Sequence, residues 1–225
     1  MVVLILADGD ASTRVQLDGA WPDWDAGLDF VIAADGGARL AEGLGVAIDL
    51  WVGDGDSLGE EALLDLAERG IAIERSRADK DASDTELAVE AALARGAEAI
   101  VIVGAIGGPR IDHALANIAL IARPDLLGRV SILDARSRIA AIGSAGSGQS
   151  IAHRSLNGAV GDLVSLLAFD DQVSGVTTVG LEYALTREPL ELGSSRGLSN
   201  VIESEGAAVS IEGGRLLVVE SPARL

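Results

Sequence analysis

The sequence predicts an α/β fold: an N-terminal doubly wound, mostly parallel sheet followed by a C-terminal antiparallel β-sandwich domain. Three observations predict it. Short, continuous apolar runs alternate with helical patterns over the first two thirds of the 225 residues, and strands without polar alternation belong to parallel sheets covered on both faces. The stretch "GSAGSGQS" at 143–150 then has the composition of a linker. After it come short apolar runs broken by turns, with no long amphipathic helix among them. These place one domain over 1–145 and a second over 146–225.

The elements follow in order. "VVLILA" (2–7), "FVIAA" (30–34) and "LWVGD" (50–54) read as buried strands, and "DGGARLAEGLG" follows the second. "EEALLDLAERG" (60–70) reads as a helix closed by Gly70, and "TELAVEAALARG" (85–96) as one ending at Gly96. "AIVIVGA" (99–105) is the next strand, "DHALANIALIA" (112–122) a helix and "RVSILDA" (129–135) a further strand. Beyond the linker, "DLVSLLAF", "VSGVTTVG", "AAVSIEG" and "RLLVVES" read as β-strands.

Composition excludes several functions. With 17 basic and 35 acidic residues the formal net charge is −18, which repels nucleic acid and anionic membranes, so neither is expected as a partner. The same charge repels nucleotide phosphates, so a phosphate site here needs local cations or backbone amides. The chain has no cysteine, which removes thiolate metal sites and cysteine nucleophiles and suits a reducing compartment. "MVVLIL" is too short for a signal-peptide core and lacks a basic start, and no apolar run reaches the roughly 20 residues that span a bilayer. A cytoplasmic protein is the expectation.

Ligands of open α/β sheets bind at the carboxyl ends of the strands. Three polar clusters fall there: Asp35-Gly36-Gly37, Asp54-Gly55-Asp56-Ser57 and Gly107-Gly108-Pro109-Arg110-Ile111-Asp112-His113. In an extended chain Asp54 and Asp56 project to one side, an oxygen pair suited to Mg²⁺. A lone D-x-D reads equally as a solvated turn. The stretch "DKDASDTE" (79–86) adds weight. Ser83 to Glu86 has the form of a capping box, and Asp81 and Asp84 come close around a helix start, where carboxylates also favour the macrodipole. Lys80 is the only lysine in the chain; a compact ammonium suits phosphate oxygens, though it also suits a local ion pair. The Gly107–His113 turn offers close backbone approach, amides at a helix start and the donor fork of Arg110. His113 reads as structural, with Asn117 on the same helix face. No Walker A, dinucleotide, G-x-S-x-G or H-E-x-x-H motif is present. The residue kit is that of a Mg²⁺–polyphosphate site.

Taken together, "ADGGA" (34–38), "GDGDS" (53–57), "DKDASDTE" (79–86), "GGPRIDHALAN" (107–117), "GLEYAL" (180–185) and "LSN" (198–200) resemble the thiamine pyrophosphokinase family. The resemblance implies transfer of diphosphate from ATP to the thiamine hydroxyl, giving thiamine diphosphate and AMP. It implies Mg²⁺ on Asp54, Asp56 and Asp84, with Asp81 nearby. It places Lys80, Arg110, Asp112, Gly107, Gly108 and Asp35 with Gly36 and Gly37 at the nucleotide, and Asp54, Asp56, Lys80, Asp81 and Asp84 in the catalytic set. Tyr183, Ser199 and Asn200 are implied for thiamine. A homodimer with active sites between subunits is implied too. The sequence departs from the family at "ADGD" (7–10), where an "NGP"-like turn is expected. Asp8 and Asp10 there bring charge toward the nucleotide contacts. Two other readings stay open: a related pyrophosphokinase acting on a hydroxymethyl pterin, and a non-catalytic thiamine or nucleotide sensor. A D-x-D glycosyltransferase leaves "DKDASDTE" without a role.

Overall fold

Apolar residues on both sides of a strand require cover on both faces, and the strands of the first unit meet that demand. The computed structural model describes residues 1–77, 81–143 and 151–223. Contacts divide the chain into one unit of Met1–Asn117 with Ile132–Asp134 and another of Ile118–Ser131 with Ala135–Leu225.

In the first unit β1 (Val2–Leu6), β2 (Phe30–Ala34), β3 (Leu50–Gly53), β4 (Ala72–Arg75) and β5 (Ala99–Val103) form a sheet in the order β5-β1-β2-β3-β4, with β6 (Val130–Asp134) beside β5. The pairings from β5 through β4 are all parallel. Leu4, Ile5, Leu6, Ile32, Leu50 and Trp51 are fully buried, each aliphatic side chain stabilising by about 1.5–3 kcal/mol. Helix α4 (Asp84–Ala94) packs on β1, β2 and β3 through Ala88, Val89, Ala91 and Ala92. The other helices are α1 (Arg14–Ala20), α2 (Leu40–Leu44), α3 (Glu60–Glu68) and α5 (Ile111–Ile121), with a 3₁₀ turn at Asp35–Arg39. Helix α1 carries a full capping box between Thr13 and Gln16.

Three elements of this unit have weak sequence signals. "AIER" at β4 is largely exposed and carries the charges that protect an edge strand. Helix α1 buries only Leu17. "DGGARLAEGLG" splits into the 3₁₀ turn and α2, and its Gly37 sits tight against β1: a Cβ there would lie 2.0 Å from the Leu6 carbonyl oxygen.

The second unit holds two runs of antiparallel strands. One runs β12 (Asn200–Val201), β9 (Leu163–Ala168), β14 (Arg215–Ser221), β7 (Ser137–Gly143). The other runs β11 (Glu188–Glu191), β10 (Gln172–Val179), β13 (Ala208–Ile211), β8 (Ala152–Ser155). Val164, Leu166, Leu216 and Val218 from the first share a core with Val173, Val176, Val209 and Ile211 from the second, the inward-facing alternation of a β-sandwich. The fold is therefore α/β with a C-terminal sandwich. The linker stretch lies almost wholly outside the described residues, and β7, which precedes it, pairs with the C-terminal β14. Among the described residues no helix is long and apolar enough to cross a membrane.

Candidate functional site

The carboxyl ends of β1, β2 and β5 open on one cavity of about 500 Å³. Asp8, Asp35, Ser57, Asp84, Gly107, Gly108, Arg110, Asp112, His113 and Asn117 line it. Five segments distant in sequence thus converge.

Asp35 organises this end of the sheet. It is 2% exposed and has a φ of +41°, a region that non-glycine residues occupy uncommonly and often at functional sites. Its carbonyl accepts from the Trp51 indole at 3.0 Å. Its carboxylate accepts from the amides of Ser57 at 3.2 Å and Leu58 at 3.3 Å, so β2 braces the turn that follows β3. Gly53 permits this approach: a Cβ there would stand 2.9 Å from that of Asp35. Burial raises the Asp35 pKa; a hydrogen bond with the Asp56 carboxyl and the charge of Asp84 raise it further, while the two amides oppose the rise.

Asp35, Asp54 and Asp56 each bring a carboxylate oxygen within 4.8 Å of the others. The extended chain expected at Asp54 and Asp56 is not what unites them. The strand ends at Gly53 and Gly55 has a φ of +88°. The turn closes instead through Asp54 Oδ1, which accepts the Asp56 amide at 3.1 Å, an Asx turn. Asp35 joins Asp54 and Asp56 in this cluster, while Asp84, which the resemblance adds to the Mg²⁺ set, lines the same cavity. Asp84 lies across the cavity wall from this turn, at the start of α4, where the Ser83 hydroxyl accepts the Glu86 amide at 3.2 Å. Asp81 is exposed just before that helix and does not line the cavity. Lys80 and Asp79 lie outside the described residues.

Gly107 and Gly108 have φ of +97° and +77°, so their turn depends on glycine. Arg110 grips Asp112 through two bonds of 2.9 and 2.6 Å, and that fork holds the Asp112 carboxyl far below the usual range. Asn117 is buried and donates to the Ala105 carbonyl at 2.8 Å, tying α5 to the end of β5. Gly36 and Gly37 are buried beneath Asp8 and Leu6 rather than lining the cavity.

In the second unit, Tyr183, Ser199 and Asn200 come together. Asn200 is 6% exposed. Its Oδ1 accepts from the Tyr183 and Val201 amides, each at 2.9 Å, and its Nδ2 donates to the Tyr183 carbonyl at 2.8 Å. The Ser199 amide donates to the Ser165 hydroxyl at 3.1 Å. The Thr178 hydroxyl accepts the Leu185 amide at 2.8 Å and pins the far end of the turn. Tyr183 is left 64% exposed. Ser165 and Thr178 carry no sequence signal for this task. Arg39, considered below, immediately follows "ADGGA", and that adjacency was its one available signal.

Comparison with known proteins bears on both regions. Residues 24–130 match the model described as thiamin pyrophosphokinase, catalytic domain, and residues 152–216 the model described as thiamin pyrophosphokinase, vitamin B1 binding domain. The chain is 26% identical over 170 residues to the thiamine pyrophosphokinase of Bacillus subtilis (strain 168), covering 75% of this chain and 76% of that protein. A solved thiamin pyrophosphokinase family protein from Enterococcus faecalis is 28% identical with a TM-score of 0.78, covering 98% of each chain. The solved Bacillus subtilis thiamine pyrophosphokinase shares the fold, with a TM-score of 0.78 at 22% identity and 99% of each chain covered.

Proposed function

The chain belongs to the thiamine pyrophosphokinase family, and from that membership we propose that it transfers the diphosphate of ATP to the hydroxyl of thiamine. The hydroxyl oxygen attacks the β-phosphorus. The bond from that phosphorus to the oxygen bridging it to the α-phosphorus breaks, AMP leaves, and the hydroxyl proton passes to solvent. One observation carries the reading: Asp35 belongs both to the carboxylate cluster and to the wall of the 500 Å³ cavity. A cation site and a ligand space meet at that residue.

The carboxylates fit Mg²⁺. Octahedral ligand oxygens at about 2.1 Å from the metal lie roughly 3.0–4.2 Å apart, within reach of the 4.8 Å spread of Asp35, Asp54 and Asp56. Asp35, Asp54 and Asp56, with Asp84 nearby, would hold the ion, which would supply positive charge to offset that of the phosphates. Asp84 extends the acidic wall. Arg110 and the Gly107–Gly108 backbone lie on the cavity wall as donors for phosphate oxygens, and Lys80 is assigned to the same task. Residues 1–145 are assigned the nucleotide and Mg²⁺. Residues 146–225 are assigned the thiamine pocket and the contact of a homodimer with active sites at its subunit interface. In that pocket the exposed Tyr183 ring offers a π-face to a flat cationic heterocycle.

The test is an incubation with ATP, Mg²⁺ and thiamine, followed for AMP and thiamine diphosphate, beside a second with a hydroxymethyl pterin. AMP release with thiamine and none with the pterin is expected. The reverse transfers the activity to the pterin class, and thiamine binding without AMP release makes the chain a sensor. Sedimentation equilibrium checks the dimer: a monomer at micromolar concentration removes the intersubunit site.

A further inference from the structure

Two acidic residues stand at the end of β1 where a nucleotide site should avoid negative charge, and the structure treats them differently. Asp10 accepts the Gly108 amide at 3.0 Å and does not line the cavity. Asp8 does line it, with Asp35 and Arg110. Its carboxylate lies so close over the β2 turn that a Cβ on Gly36 would approach it to 2.2 Å. A polyphosphate running from the carboxylate cluster to the Gly107–Arg110 turn passes this carboxylate. Unopposed, Asp8 repels it.

Arg39 supplies the opposing charge. Its Nη1 donates to Asp8 Oδ1 at 3.2 Å, and its Nη2 donates to the Ser57 carbonyl within the carboxylate turn. One guanidinium therefore links the end of β1 to the loop that carries Asp54 and Asp56. Both partners are about half exposed, so the pair contributes little to stability and its worth lies in the field it sets across the cavity.

We propose that Arg39 and Asp8 form a charge-compensating pair, in which Arg39 cancels the Asp8 charge along the path of the nucleotide phosphates. The inference rests on the cavity being the nucleotide site. It makes the acidic "ADGD" turn compatible with a polyphosphate: Asp8 is tolerated because Arg39 accompanies it.

The experiment is titration calorimetry with Mg²⁺ and α,β-methylene-ATP, whose altered bridge prevents diphosphate transfer. Arg39→Ala should weaken binding on the order of tenfold. Asp8→Asn should tighten it severalfold, and Asp8→Asn/Arg39→Ala should return to within about threefold of the unsubstituted protein. A double variant as weak as Arg39→Ala alone overturns the pairing, since the loss then comes from untethering Ser57. So does an Asp8→Asn protein that binds no tighter, an arm that holds even where Arg39→Ala fails to fold. If the unsubstituted protein binds no nucleotide at all, the reading of the cavity falls and takes the pair with it.

Discussion

Asp35 in the first unit and Asn200 in the second do the same mechanical task with different chemistry. Each is a buried side chain that accepts two backbone amides from a loop and fixes it: Ser57 and Leu58 for Asp35, Tyr183 and Val201 for Asn200. Asn200 also donates to the Tyr183 carbonyl, so its polar groups are matched and its corner is complete by itself. Asp35 is a carboxyl group beside Asp56 and Asp84, and burial raises its pKa. Its brace leaves charge that only a proton or a cation relieves. The neutral brace is satisfied within the fold, whereas the charged one keeps a desolvation cost.

Breaking the charged side should cost the most activity. Asp56→Asn is expected to lower thiamine-dependent AMP release about a hundredfold or more while circular dichroism and melting stay unchanged; near-normal turnover removes Asp56 from the mechanism. Asp35→Asn sharpens the comparison, since it removes the charge and one of the two acceptors, Ser57 and Leu58 being bonded to different oxygens of Asp35. It should lose Mn²⁺ binding, read by electron paramagnetic resonance, yet keep its fold. The pH dependence has a definite sign. A raised folded-state pKa means that the protonated Asp35 stabilises the fold at low pH and that this contribution is lost as pH rises through the raised value. Metal-free Asp35→Asn should therefore gain stability relative to the unsubstituted protein on going from below pH ~4 to neutrality. Denaturant melts showing a constant difference across that range would contradict the raised pKa.

On the neutral side the cost should fall on folding. Asn200→Ala strands two amides and a carbonyl and is expected to destabilise by about 1–3 kcal/mol, seen as a lower denaturation midpoint. A change within a few tenths of that scale would show that water replaces the side chain. The smallest effect is expected for Tyr183→Ala. Its exposed ring makes stability nearly insensitive, while loss of a π-face for a cationic ring should raise the KM for thiamine roughly three- to thirtyfold; an unchanged KM takes the ring out of the pocket.

Legibility in the sequence followed how local each signal was. The apolar runs of β1, β2, β3 and β5 were readable because burial on both faces demands unbroken hydrophobicity. The start of α4 was readable because Ser83 caps within its own turn. β11 and β12 were not: "EPLE" carries a proline and charges at a sheet edge, and "NV" is two residues long. Three of the segments that line the cavity could be assigned to one sheet edge from the strand–helix alternation alone. Their partners could not be assigned.

By itself the sequence determined the α/β and sandwich plan, the strand-end turns that bear Asp35, Asp54 and Asp56, and the family motifs that join thiamine to a polyphosphate. Only the tertiary structure decided which of these residues act together. Asp35 joins Asp54 and Asp56 because β2 and β3 are parallel neighbours with Ala34 opposite Val52, which brings the residues just past both strands side by side. Asn200 reaches Tyr183 across 17 residues, and Arg39 reaches Asp8 across 31. Spacing along a chain sets geometry only within a turn or an element. Between elements, it is strand order and register that set the distances on which charge and hydrogen bonding depend.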